Sequence, residues 1–135
     1  MLLGFIALQS CKKNKNDEVI PKVYVDIFLY LDQPDNVVLN TVNNWKYQSG
    51  GNLGIIIFRK SQNEFVALER TCTYNHSGTY KAVSVQSNNI SATDTTCGST
   101  FQITDGSVTH GPASRSLVQY HTEYDASNNT LRIYN

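Results

Sequence analysis

From residue 23 onward, the chain consists of short runs of β-branched and aromatic residues separated by groups of turn-forming residues. The clearest runs are residues 53–59 (LGIIIFR) and 64–70 (EFVALER), with Ser61, Gln62 and Asn63 between them. Two such runs joined by a short polar connection predict an antiparallel hairpin. No segment keeps an apolar period of 3.6 residues for three turns, and no internal repeat is visible. The sequence therefore predicts an all-β domain.

The remaining strands are expected on the same grounds, and the length of 135 residues allows one domain. The further strand candidates are residues 23–31, 81–85, 101–103, 116–124 and 130–134, with a shorter one at residues 37–39. Residues 32–36 and 125–129 are rich in Asp, Asn, Ser and Pro and are expected to form turns.

Charge and motif content exclude several classes of function. The formal net charge is zero and only 16% of residues are charged, whereas a nucleic-acid-binding surface needs a clustered excess of Lys and Arg. The serines lie in turn-rich segments without a nucleophile elbow, and there is no glycine-rich phosphate loop. No nucleic-acid partner and no enzymatic activity are therefore indicated.

The N-terminus has the pattern of an export signal. Residues 1–8 are almost wholly apolar but too few to span a bilayer, which is typical of a signal-peptide core. The following Leu8-Gln9-Ser10-Cys11 resembles a bacterial lipobox, and this resemblance implies that Cys11 is lipidated. We therefore expect a signal peptide at 1–10, a polar tether at 11–20, a β domain at 21–135 and a lipid-anchored location in a bacterial cell envelope. The alternative is a buried first strand that contains an incidental cysteine.

Residues 97–117 carry the most specific motif in the chain and read CGSTFQITDGSVTHGPASRSL. This stretch resembles the second half of a Rieske iron–sulfur domain, whose pattern is C-x-x-H-G-S-x-F-x-[LI]-x-x-G-x-V-x-x-G-P-A-x-x-x-L. The pattern begins three residues earlier, so its first position aligns with residue 94 and its His with residue 97. Residues 70–74 (RTCTY) resemble the family's first cluster-binding loop, and the order of strands and loops is similar over residues 21–134. The resemblance implies a Rieske-like antiparallel β-sandwich with two loops that correspond to the cluster-binding loops.

The positions of the cluster ligands differ from the family pattern. A Rieske cluster has two thiolates on one iron and two imidazoles on the other. Cys72 matches the first thiolate, but Tyr74 and Cys97 stand at the imidazole positions and Asp94 at the second thiolate position. A phenol and a hard carboxylate disfavour sulfide-bridged iron. The resemblance therefore implies that the fold is kept without a cofactor or metal, and that Gly111, Pro112 and Ala113 form the lid loop that covers the cluster in the family.

Cys72 and Cys97 are an even pair once Cys11 is assigned to a lipid anchor. In an exported chain such a pair predicts a disulfide, which would join the two former cluster loops. The alternative is a pair of free thiols.

Taken together, these features predict a non-catalytic envelope lipoprotein that acts as a binding or accessory module for a protein or small-molecule partner. One alternative is an electron-transfer protein with a [2Fe-2S] cluster and unusual ligands. Another is a thiol–disulfide redox protein that uses Cys72 and Cys97, although the C-x-x-C spacing is absent. A third is a single zinc or iron ion held by Cys72, His76 and Cys97, with Asp94 or His110 as the fourth ligand.

Overall fold

A computed structural model describes residues 20–75 and 78–135 of the chain. Within these ranges the secondary structure consists of ten β-strands and one short 3₁₀ helix, and every strand pair is antiparallel. No helix in the described ranges is long and apolar enough to cross a membrane. The all-β prediction is confirmed.

The strands follow one another in short steps along the chain. They are β1 (Asp26–Tyr30), β2 (Trp45–Gln48), β3 (Ile55–Arg59), β4 (Phe65–Glu69), β5 (Ser84–Val85), β6 (Ser91–Thr93), β7 (Thr100–Gln102), β8 (Val108–His110), β9 (Gln119–Asp125) and β10 (Thr130–Tyr134).

The strands form two sheets. A six-stranded sheet has the order β1-β10-β9-β4-β3-β2, and a four-stranded sheet has the order β5-β6-β7-β8. The two halves of the larger sheet are joined by β4 and β9, where Ala67 pairs with Tyr120 and Leu68 pairs with Gln119. The smaller sheet is an excursion between β4 and β9, so the chain leaves the larger sheet, builds the smaller one and returns.

Strands β3 and β4 are buried on both faces, which explains their continuous apolar sequence. Because successive side chains of a strand point to opposite faces, Ile55 and Ile57 enter one core and Ile56 and Phe58 enter another. The first, which we call the sheet core, also contains Val25, Leu29, Leu31, Leu39, Phe65, Ala67, Tyr120, Leu131 and Ile133. The second, which we call the loop core, also contains Val66, Leu68, Cys72, Val83, Ala92, Phe101, Ile103, Ala113 and Leu117. Burial of each large side chain stabilises the fold by roughly 1.5–3 kcal/mol.

The hairpin predicted at residues 53–70 is confirmed, with Ile55 opposite Glu69 and Arg59 opposite Phe65. The strand expected at residues 37–39 is wrong, because Val37–Asn40 forms the 3₁₀ helix. The amides of Asn36 and Val37 both bond to the carbonyl of Gln33, and these local bonds curl the chain. Strands β2, β6 and β8 were not predicted from the sequence.

Candidate functional site

The first loop of the candidate site, residues 70–75, leaves β4 and carries Cys72. The amide of Cys72 donates to the carbonyl of Lys81 at 2.8 Å, and Thr71 forms an isolated β-bridge with Ala82. These bonds hold the cysteine against the loop core, where it is fully buried. The Cys72 side chain therefore has a fixed position beside the smaller sheet.

The second loop, residues 94–99, connects β6 to β7 as a tight turn. The Asp94 amide donates to the Ser99 carbonyl at 2.9 Å, and the Gly98 amide donates to the Asp94 carbonyl at 2.8 Å. Gly98 has a φ of +82°, a conformation that glycine adopts at little cost. The Asp94 side chain accepts the amide of Thr96 at 2.8 Å, which orients the carboxylate within the turn.

The two loops meet at a single point. The Cys72 Sγ, a carboxylate oxygen of Asp94 and the Cys97 Sγ all lie within 4.8 Å of one another. Cys72 and Asp94 are buried, with 0% and 2% of their surfaces exposed, and Cys97 is half-buried. Three of the four positions assigned from the sequence thus converge in a protected site.

Tyr74, the fourth position, is half-buried and packs against the loop core, as does Cys97. Its backbone amide lies near the Cys72 sulfur and acts to lower the pKa of that thiol. In this structure its backbone therefore lies beside the site.

The environment of Cys72 favours the neutral form of its thiol. Burial raises its pKa well above the ordinary value, and the nearby charge of Asp94 and the hydrogen bond to that carboxylate act in the same direction. The Tyr74 amide opposes this effect without reversing it. The raised pKa of Cys72 is the opposite of what a reactive thiolate needs.

Both Cys72 and Cys97 are free thiols in the structure. Their sulfurs lie within 4.8 Å of each other, so either a bond between them or a shared ion would join the two loops. The disulfide remains a prediction.

The lid loop, Gly111, Pro112 and Ala113, is attached to the second loop through Ser99. The buried Ser99 hydroxyl accepts the Ala113 amide at 2.9 Å and the Cys97 thiol at 3.1 Å. On the other side, the Thr73 hydroxyl donates to the carbonyl of Arg115, just beyond the lid. The lid loop is therefore tied to both loops of the site.

The ligand set does not fit a Rieske cluster. None of the four ligand positions holds an imidazole, and Tyr74 and Asp94 supply hard oxygen donors. The donors from Cys72 and Cys97 correspond to ligands of different irons, yet they lie within 4.8 Å of each other. His110 is exposed at the end of β8, and His76 lies outside the described residues. The arrangement suits one ion better than two bridged irons.

A second buried polar site, which sequence reasoning missed, surrounds Glu69. This carboxylate, 1% exposed, accepts the Tyr120 hydroxyl at 2.6 Å and the backbone amides of Asn52 at 2.7 Å and Leu53 at 3.0 Å. It also accepts both the amide and the hydroxyl of Thr71. Tyr120 lies 51 residues from Glu69, so no local pattern links the two.

Burial by itself would raise the pKa of Glu69, but these hydrogen bonds together lower the pKa below its usual value. Burial and the neighbouring carboxylate raise the pKa of Tyr120. A cavity of about 380 Å³ borders both residues. It is lined by Ile20, Pro21, Lys22, Val23, Val118, Gln119, His121 and Asn135 in addition to Glu69 and Tyr120. Because its five donors satisfy the carboxylate, Glu69 acts as a structural anchor.

No known family model and no curated protein matches this chain. The predicted signal peptide, Cys11 and all of the tether except Ile20 lie outside the described residues.

Proposed function

We propose that this chain is a bacterial cell-envelope lipoprotein whose Rieske-like β domain holds no iron–sulfur cluster and acts as a non-catalytic binding or accessory module. The observation that carries the proposal is the meeting of the two loops at Cys72, Asp94 and Cys97, which among the described residues supplies two sulfurs, one carboxylate and no imidazole. The loop positions agree with the resemblance, whereas the donor chemistry disagrees with its cofactor.

The order of elements supports the Rieske-like part of the proposal. The first loop follows β4, the second loop and the lid loop belong to the β5–β8 excursion, and the β9–β10 hairpin closes the larger sheet. This is the sequence of parts that the resemblance implies. Ser99 and Ala113 both match the family pattern, and the Ser99 hydroxyl accepts the Ala113 amide. The same hydroxyl accepts the Cys97 thiol, so Ser99 links the second loop to the lid loop.

The outer face of β1 supports the binding part of the proposal. Tyr24 is 80% exposed, and Phe28 and Tyr30 are each more than half exposed on the edge strand of the larger sheet. Phe28 and Tyr30 contact each other edge to face at 5.7 Å between ring centroids. Exposed aromatic side chains of this kind are enriched where proteins meet their partners.

Iron and sulfide analysis of the anaerobically purified chain tests the missing cluster. We expect a colourless protein without stoichiometric iron, because Tyr74, Asp94 and Cys97 are poor matches for the ligands of the cluster. About two irons and two sulfides per chain would contradict the proposal and restore the electron-transfer alternative.

A variant that rebuilds the family's ligand set tests the Rieske-like arrangement directly. The triple change Tyr74→His, Asp94→Cys and Cys97→His is expected to let the chain take up a two-iron cluster during anaerobic reconstitution. The same triple change combined with Cys72→Ser is the matched control and should not retain the cluster. A folded triple variant that binds no iron and sulfide would refute the assignment of these loops.

Fractionation of expressing cells tests the lipid anchor. The wild-type chain is expected to remain with membranes after a carbonate wash and to carry fatty acid on Cys11, whereas Cys11→Ser should be released. Cys72→Ser is the control for loss of a cysteine elsewhere. Retention of the Cys11→Ser variant, together with no acyl group on the wild type by mass spectrometry, would show that the lipoprotein assignment is incorrect.

A further inference from the structure

The close approach of the Asp94 carboxylate to two cysteine sulfurs points to a role for the site that goes beyond the proposed accessory function. We propose that Cys72, Asp94 and Cys97 bind one Zn²⁺ ion, which joins the first loop to the second.

The spacing of the donor atoms suits a single ion. Zinc binds cysteine sulfur at about 2.3 Å and carboxylate oxygen at about 2.0–2.2 Å, so a tetrahedral site keeps its ligand atoms about 3.6–3.8 Å apart. The three donors already lie within 4.8 Å of one another. They need to close by no more than about 1 Å to reach the spacing that zinc requires. Three protein ligands leave the fourth position for water or an external ligand.

The chemistry of the donors favours zinc among the common divalent ions. Two sulfurs exclude Mg²⁺ and Ca²⁺, which prefer oxygen, and mixed sulfur and oxygen donors fall within the range that zinc accepts. On binding, the two thiols release their protons to solvent and Asp94 binds as a carboxylate. The charge of the ion then offsets two of the three negative charges of its ligands.

Asp94 distinguishes a shared ion from a disulfide. Oxidation of the two thiols would release two protons and two electrons to an external oxidant and would leave an uncharged disulfide beside Asp94. The carboxylate, 2% exposed, would then lie beside two sulfurs that carry no positive charge. A zinc ion instead supplies a positive charge to the same oxygen. A disulfide requires no carboxylate at this position, whereas a zinc site makes use of it.

The Asp94 backbone is held independently of any ion. The turn bonds to Ser99, Gly98 and Thr96 fix both ends of the second loop, so the ligand positions exist before the metal arrives. Such preorganisation reduces the cost of ordering that accompanies metal binding.

Metal titration of the full chain, reduced and kept free of oxygen, tests the proposal. We expect binding of one Zn²⁺ per chain by calorimetry, a rise in melting temperature with added Zn²⁺, and thiolate-to-metal absorption bands when Co²⁺ is used instead. Asp94→Asn and Cys97→Ser should each weaken Zn²⁺ binding by at least about 10-fold. Asp105→Asn is the matched control, because Asp105 is an exposed carboxylate in the turn between β7 and β8 and its side chain bonds to Ser107 of the same turn. The Zn²⁺ affinity of this variant should equal that of the wild type.

Two results would overturn the inference. One is the absence of stoichiometric Zn²⁺ binding by the reduced, folded wild-type chain. The other is a natively isolated chain that contains a Cys72–Cys97 disulfide and no zinc, which would establish the disulfide as the link between the loops. Iron and sulfide contents test the proposed function, and zinc content tests this inference. Either proposal can therefore be contradicted without contradicting the other. If Cys97→Ser does not fold, the Asp94→Asn titration and the Zn²⁺-dependent melting of the wild type still decide the matter.

Discussion

Replacement of Ser99 by Ala tests how the lid loop is held over the candidate site. The Ser99 side chain is fully buried, and its hydroxyl accepts the Ala113 amide at 2.9 Å and the Cys97 thiol at 3.1 Å. The substitution removes one oxygen and leaves the backbone of the second loop unchanged. Its effect therefore reports on these two bonds.

The expected cost follows from the partners that lose their acceptor. The Ala113 amide lies in the loop core and would be left without an acceptor, which costs about 1–3 kcal/mol for a buried polar group. The Cys97 thiol is half-buried and a weak donor, so it adds little. We expect Ser99→Ala to lower the free energy of unfolding by about 1–3 kcal/mol without a change in the urea m-value.

Urea unfolding of the wild-type and variant chains measures this difference, and hydrogen exchange at the Ala113 amide locates it. Ser107→Ala is the control, because the Ser107 hydroxyl bonds only to the exposed Asp105, and its effect should stay within about 0.5 kcal/mol. If Ser99→Ala is as stable as Ser107→Ala and the Ala113 amide keeps its protection, the hydroxyl does not hold the lid loop.

Three further predictions concern the buried carboxylate of Glu69. Its pKa is lowered in the folded state, so its stabilising effect is present above the unfolded pKa of about 4.3 and is lost as the pH falls through the folded value. The free energy of unfolding of Glu69→Gln should therefore depend less on pH below about 4.3 than that of the wild type, and parallel profiles would contradict this. Tyr120→Phe removes a donor at 2.6 Å from the carboxylate and should cost about 1.5–3 kcal/mol in urea unfolding, with an unchanged stability arguing against the bond. Gly51→Ala should destabilise more than Gly78→Ala in thermal unfolding, because both glycines have positive φ but only at Gly51 would a Cβ lie 2.2 Å from Glu69 Oε2 and 2.5 Å from the Tyr120 hydroxyl. Equal effects of the two alanines would show that this contact is relieved without cost.

The parts of the fold that could be predicted from the sequence are those in which local pattern and burial agree. The β3–β4 hairpin combines β-branched residues, burial on both faces and a polar turn, and each of these leaves a local signal. The error at Val37–Asn40 arose because two exposed valines gave an apparent strand where only Leu39 is buried. Strands β6 and β8 have three residues each and lack the large apolar residues at alternating positions that mark residues 101–103.

The candidate site could be predicted in its residues but not in its geometry. The register of the motif placed Cys72, Asp94 and Cys97 at related positions, and they do lie together. The burial of Asp94 and the link from Ser99 to Ala113 depend on how the turn and the lid loop pack, which no spacing in the sequence encodes. The contact between Glu69 and Tyr120 could not be predicted for the same reason, because it requires β4 and β9 to be neighbours in the sheet.

Glu69 and Asp94, two buried carboxylates among the described residues, differ in their hydrogen-bond donors, and this difference supports the proposal that Asp94 is a metal ligand. Glu69 accepts hydrogen bonds from three backbone amides and two hydroxyls, so its oxygens are occupied and its charge is stabilised by the fold alone. Asp94 is buried to a similar extent, but within the described residues the side-chain hydrogen bond found for it is the one from the Thr96 amide. A buried carboxylate with few donors costs free energy unless a positive charge lies beside it. The two sulfurs beside Asp94 make Zn²⁺ the cation that the site accommodates best.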